Sequence, residues 1–137
     1  MLLLLIACTP DFVLTVSPAT LNLGVVDFAD EMPDEGYAAG QVSITNAGKG
    51  EPMLTLASYD AEHVCVVGFT GRDLPITLGA LPEGSTYLLN IAPCGYIAGE
   101  RDAEVNTDVT VTTGGSPATL VIPVSFTPTR TIQGDTG

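Results

Sequence analysis

The chain has 137 residues, 45% of them hydrophobic and only 15% charged, which excludes ordinary disorder and gives room for one domain with its own core. Its net charge is −12, and Lys49, Arg72, Arg101 and Arg130 are its only basic residues. A nucleic-acid backbone would be repelled, and a polybasic hold on anionic lipid is excluded for the same reason.

Residues 2–7 form an unbroken apolar run that ends at Cys8. A bilayer takes about 20 apolar residues to cross, so the run reads instead as the end of a secretory leader with a small residue before the cut. Leu5-Ile6-Ala7-Cys8 resembles the lipobox of bacterial lipoproteins. The resemblance implies cleavage before Cys8, lipid on its thiol and acylation of the new amino terminus. One acyl chain holds weakly, at about 0.8 kcal/mol per buried CH₂, whereas two or more anchor stably. No Lys or Arg precedes the run, and the alternative is a hydrophobic leader whose Cys8 is incidental. Thr9, rather than Asp, follows the cysteine; by analogy with enteric lipoproteins this implies the outer membrane or cell surface.

Past the leader the pattern has the two-residue period of strands with one buried face. Residues 11–18 contain FVLTV, an opening strand. Leu21, Leu23 and Val25 then alternate with Asn22 and Gly24 and predict a second strand. Residues 27–36, DFADEMPDEG, read as an acidic loop. In GQVSITNAGKG, at 40–50, Val42 and Ile44 point one way and Ser43 and Thr45 the other. Asn46 to Gly50 break the run, because Gly and Asn accept the positive φ of tight turns. With the next run, from Met53 to Ala57, this predicts a central hairpin over 40–57. HVCVVGFT, at 63–70, is expected as a short apolar strand, and 75–78 as a brief edge strand that tolerates Pro75. Tyr87, Leu89 and Ile91 share a face of a strand over 86–92. Val105, Val109 and Val111 alternate with polar residues up to a hairpin signal at Gly114-Gly115. Leu120, Ile122, Val124 and Phe126 form the last strand, and from Thr127 the alternation is lost.

About seven short strands with turns every 8–12 residues predict an all-β, immunoglobulin-like β-sandwich. The series LNLGVVDF, VSITNAGKG, LPEGSTYLLNIAP and IPVSFTP resembles the ASH (abnormal spindle/Hydin) domain group, including bacterial "choice-of-anchor D" modules and, more distantly, the major sperm protein fold. The resemblance covers about residues 16–128. It implies a seven-stranded sandwich used for binding or scaffolding, with no catalytic residues to carry over. The chain then divides into a leader over 1–7, a tether over 8–15, the sandwich over 16–128 and a tail or linker over 129–137.

With Cys8 lipidated, Cys65 and Cys94 remain as a pair, a disulfide candidate in an exported protein; the alternative is two buried thiols. Asp27, Asp30, Glu31, Asp34 and Glu35 could together offer oxygens to Ca²⁺, but their spacing is not that of an EF-hand, and a solvated acidic loop is the plainer reading. His63, the one histidine, has Asp60 and Glu62 beside it. A single imidazole does not make up a zinc site of three or four N or S ligands, so it reads as a plain loop or strand-edge residue. Tyr37, Tyr59, Tyr87 and Tyr96 suit the core or its rim better than a sugar-stacking platform. No G-x-S-x-G, phosphate-binding or dinucleotide-binding motif occurs.

The sequence thus predicts a bacterial cell-envelope lipoprotein, anchored to the membrane through Cys8. It would serve as a structural or protein-binding module with a protein partner, with edge-strand pairing as a contact mode. No enzymatic activity, cofactor, nucleic acid or small-molecule substrate is expected. The alternative is a Ca²⁺-dependent or carbohydrate-binding adhesin.

Overall fold

The computed structural model describes residues 13–28, 39–69, 71–95, 99, 101–114 and 119–130. Among these residues there is no α-helix, and nine strands form two sheets. They are β1 (Leu14–Ser17), β2 (Leu21–Asp27), β3 (Gly40–Asn46), β4 (Met53–Tyr59), β5 (Val64–Val66), β6 (Ile76–Ala80), β7 (Thr86–Pro93), β8 (Val105–Thr112) and β9 (Thr119–Thr129). One sheet runs β1-β3-β7-β5 and the other β2-β9-β8-β4-β6. The first matches the ABED sheet of an immunoglobulin-like sandwich. The second matches the GFC sheet, with β2 and β6 added at its edges. The expected fold class is therefore the observed one.

The core lies between the sheets and is made by the predicted alternations. Val42, Ile44, Leu89 and Ile91 of one sheet pack against Leu54, Leu56, Val109, Val111 and Ile122 of the other, all at most 1% exposed. Phe28 and Phe126 close it at one end, with ring centroids 6.2 Å apart. Phe28, read from sequence as part of the acidic loop, belongs to the core: its N–H donates to the Thr129 carbonyl, which fixes it beside the end of β9.

The central hairpin over 40–57 does not form. β3 and β4 lie in different sheets: β3 pairs with β1 and β7, and β4 with β6 and β8. Residues 47–52 instead carry the chain across the sandwich. Asn46, fully buried, makes this crossing possible. Its Nδ2 donates to the Gly50 and Leu81 carbonyls, at 2.9 and 3.0 Å, and its Oδ1 accepts from Gly48 N–H. Its backbone N–H donates to Ser85 O, and its carbonyl accepts from Gly84 N–H. One buried side chain thus satisfies the buried Leu81 carbonyl and ties it to the backbone of the crossing. The neighbouring 82–85 turn closes through Ser85 N–H to Pro82 O, with Gly84 supplying φ +80°.

Two further strand predictions shift. In β2, Asn22 Oδ1 accepts from Gly24 N–H, and Gly24 has φ +76°. The bulge between Asn22 and Val25 changes the phase of the alternation. Leu21 stays in the core, whereas Val25, expected on the same face, is 73% exposed. β9 continues past Phe126 to Thr129, because its last residues pair in parallel with Val25, Val26 and Asp27 of β2.

The four edge strands offer no long flat edge. β1 has four residues and β5 three, β2 carries its bulge, and β6 pairs with β4 across a register shift opposite Gly79, where φ is +125°. Short or bulged edges resist strand addition, so edge-strand pairing is a poor contact mode for this sandwich. Charge is partitioned too: among the strand residues only Asp27 and Asp108 are charged. The outer face of the larger sheet is rich in hydroxyls. Thr77, Thr55, Thr112 and Thr119 are successive partners across β6, β4, β8 and β9.

Asn46→Ala leaves the buried Leu81 carbonyl, and the less buried Gly50 carbonyl and Gly48 N–H, without their side-chain partner. At about 1–3 kcal/mol per unsatisfied group, partly relieved by relaxation, it is expected to cost about 2–4 kcal/mol. Urea unfolding of the variant against the parent reads this from the midpoint at unchanged slope.

Candidate functional site

The chemistry-bearing side chains that the structure brings together lie in the turn from β4 to β5. Asp60 organises it. Its carbonyl accepts from His63 and Val64 N–H, and its Oδ1 accepts from Glu62 N–H. Its Oδ2 lies 2.5 Å from His63 Nδ1. The His63 side chain is 12% exposed and that of Asp60 33%, while Glu62 is exposed. The turn gathers an imidazole and two carboxylates whose donor atoms all fall within 4.8 Å of one another. His63 sits in the turn just before β5, the loop or strand-edge place the sequence suggested, with its ring held against Asp60. The D-x-E-H spacing was visible, but only the turn's closure aims the side chains together.

The segment after β7 braces this turn. Cys94 and Gly95 N–H both donate to His63 O. Gly95 packs so tightly that a Cβ there would sit 1.6 Å from Glu62 O, so only glycine fits. Cys65 and Cys94 form the expected disulfide, with Cα atoms 5.6 Å apart. β5 and β7 are neighbours in one sheet. The bridge therefore clasps a three-residue edge strand to its neighbour and does not cross the core, as the bridge of antibody domains does.

The remaining sequence candidates are placed as follows. Cys8, Asp30, Glu31, Asp34, Glu35, Tyr37 and Tyr96 lie outside the described residues. Asp27 ends β2, where Thr129 Oγ1 donates to its Oδ1. Tyr59 and Tyr87 pack against the core, and burial raises the Tyr87 phenol above its ordinary pKa. Their packing does not make a stacking platform. An open depression of about 190 Å³, unmarked by any motif, lies over Asn106, Asp108, Pro123 and Ser125 beside Thr20. The β8–β9 register brings these residues side by side on the outer face.

No protein family matches the chain in sequence, and no curated protein does. Among solved structures it is similar to the VesB protease of Vibrio cholerae, at 11% identity over 85% of this chain and 31% of that one, with a TM-score of 0.44. It is similar to the secreted serine protease VesC of Vibrio cholerae, at 14% identity over 91% of this chain and 24% of that one, with a TM-score of 0.46. It is also similar to WR4, a C. elegans MSP family member, at 16% identity over 84% of this chain and 96% of that one, with a TM-score of 0.42. The chain thus spans 31% and 24% of the two proteases' lengths. These matches correct one expectation: with two serine proteases among the similar structures, the statement that this chain is not an enzyme does not stand. Likeness at this level carries no activity over to the chain.

Two outcomes test the bracing. The bridge closes a loop of sequence separation 29, so Cys65→Ala with Cys94→Ala is expected to cost about 3–4 kcal/mol in urea unfolding. Gly95→Ala should cost about 2 kcal/mol or more, because overpacking here meets backbone; an unchanged melting temperature would show that the turn does not bear on residue 95.

Proposed function

We propose that this protein is a structural or protein-binding module of the bacterial cell envelope, an ASH-type, "choice-of-anchor D"-like domain held at a membrane by lipid on Cys8. The observation that carries the reading is the apolar run ending in Leu5-Ile6-Ala7-Cys8, close ahead of an immunoglobulin-like sandwich. Residues 9–12 separate Cys8 from Val13, the first described position. The five steps from Cys8 to Val13 reach at most roughly 17 Å, so an anchored domain would stand close to the bilayer.

The arrangement of the ends supports this. Ala47 N–H donates to Val13 O, which fixes the start of the domain beside the 47–52 crossing. Lys49, the one lysine, is in that crossing. The Asp60–His63 turn is at the opposite end of β4, roughly 20 Å away along seven residues of strand. Anchored through Cys8, the domain would direct its near-neutral end at the lipid and the Asp60 turn outward. The neutral sheet faces are the broad surfaces available to a partner.

Expression of the full chain in a bacterial host tests the anchor. The parent protein is expected in the detergent-extracted membrane fraction, with its amino terminus at residue 8 and its mass raised by acyl chains. Cys8→Ala should leave it soluble. A parent protein recovered with residues 1–7 attached and a free Cys8 thiol would refute the reading.

A further inference from the structure

We propose that the turn from Asp60 to His63 binds a divalent transition-metal ion, through the His63 imidazole and the Asp60 and Glu62 carboxylates. One donor atom from each lies within 4.8 Å of the other two, so the three converge on a common point. His63 Nδ1 and Asp60 Oδ2, now 2.5 Å apart in a hydrogen bond, must open to the roughly 3.4 Å between tetrahedral ligands bonded at about 2.1 Å to admit the ion. A small contraction of Glu62, the exposed member, completes the set.

The donor chemistry selects the ion. Ca²⁺ and Mg²⁺ take oxygen ligands, whereas an imidazole beside carboxylates suits Zn²⁺, Ni²⁺ or Cu²⁺. Three protein donors leave at least one coordination position for water or for a donor from a partner. Binding through Nδ1 displaces the proton it shares with Asp60: a neutral imidazole carries that proton on Nε2 instead, and only an imidazolium releases one to solvent. A dication is also favoured electrostatically on a chain of charge −12.

The turn is prepared for this before any ion arrives. Asp60 O and Oδ1 fix its backbone, and Cys94 and Gly95 N–H hold His63 O. The Cys65–Cys94 bridge prevents the braces from separating. Little conformational freedom remains to be lost on binding, apart from the Glu62 side chain. The site does not depend on the lipid anchor.

Titration of the purified, chelator-treated chain with ZnCl₂ and with CoCl₂ tests the proposal. The expected result is saturable binding of one ion per chain, with Co²⁺ visible absorption reporting the coordination. His63→Ala and Glu62→Gln should each weaken it by about 10-fold or more, since even outer partners of metal ligands typically contribute that much. Glu62→Gln is the decisive variant if His63→Ala fails to fold, because Glu62 is exposed and its N–H contact to Asp60 persists. No saturable binding overturns the proposal. So does binding that both variants leave unchanged, which would move the ion elsewhere, the acidic 27–35 segment included.

Discussion

The structure depends on Asn46. A two-sheet sandwich must pass its chain from one sheet to the other, and each passage carries backbone polar groups into the interior or along its margin. At the end of β3 this side chain and its backbone use their hydrogen-bonding groups on Gly48, Gly50, Leu81, Gly84 and Ser85. The crossing over 47–52 and the turn at 82–85 thereby become one unit. With that unit fixed, β3 and β4 present their apolar residues to each other from opposite sheets, and the core follows. The opposite end is closed by different means: a disulfide, a glycine that admits backbone contact and an aspartate that organises a four-residue turn.

The distribution of polarity gives this sandwich its character. The chain is strongly acidic, yet its charge lies almost wholly outside the strands, leaving sheet faces rich in Thr, Ser, Asn and Gln with Val25, Met53, Leu88 and Val121 exposed among them. Short strands, bulges and register shifts blunt all four edges. Such a molecule resists uncontrolled pairing with other sheets while keeping two broad neutral surfaces. The Asp60, Glu62 and His63 side chains are concentrated at one end, opposite the end where Ala47 N–H holds Val13 O.

Much of the fold was legible because it is written in the two-residue period. Val42 and Ile44, Leu89 and Ile91, and Val109 and Val111 are buried as their spacing required. The Cys65–Cys94 bridge was one of the two readings open for the cysteines beyond Cys8, and it is the one that forms. What misled was local. Asn46 to Gly50 has the composition of a hairpin turn, and only long-range bonds to Leu81, Gly84 and Ser85 turn it into a crossing. Gly24 looked like a plain member of an alternating run, but its positive φ creates a bulge that sends Val25 outward. Phe28 was absorbed into an acidic run, and its burial depends on a partner, Thr129, about a hundred residues away. The candidate site was half legible: Asp60, Glu62 and His63 were noticed together, but sequence could not show that the segment after β7 locks their turn.

The account's central claim is that residues 47–52 cross between sheets, and backbone nuclear Overhauser contacts test it most directly. The two-sheet arrangement predicts strong cross-strand contacts of β3 with β7, as between Val42 and Leu89, and of β4 with β8, as between Leu56 and Val111. A continuous ladder of contacts between β3 and β4, with those pairings missing, would contradict it.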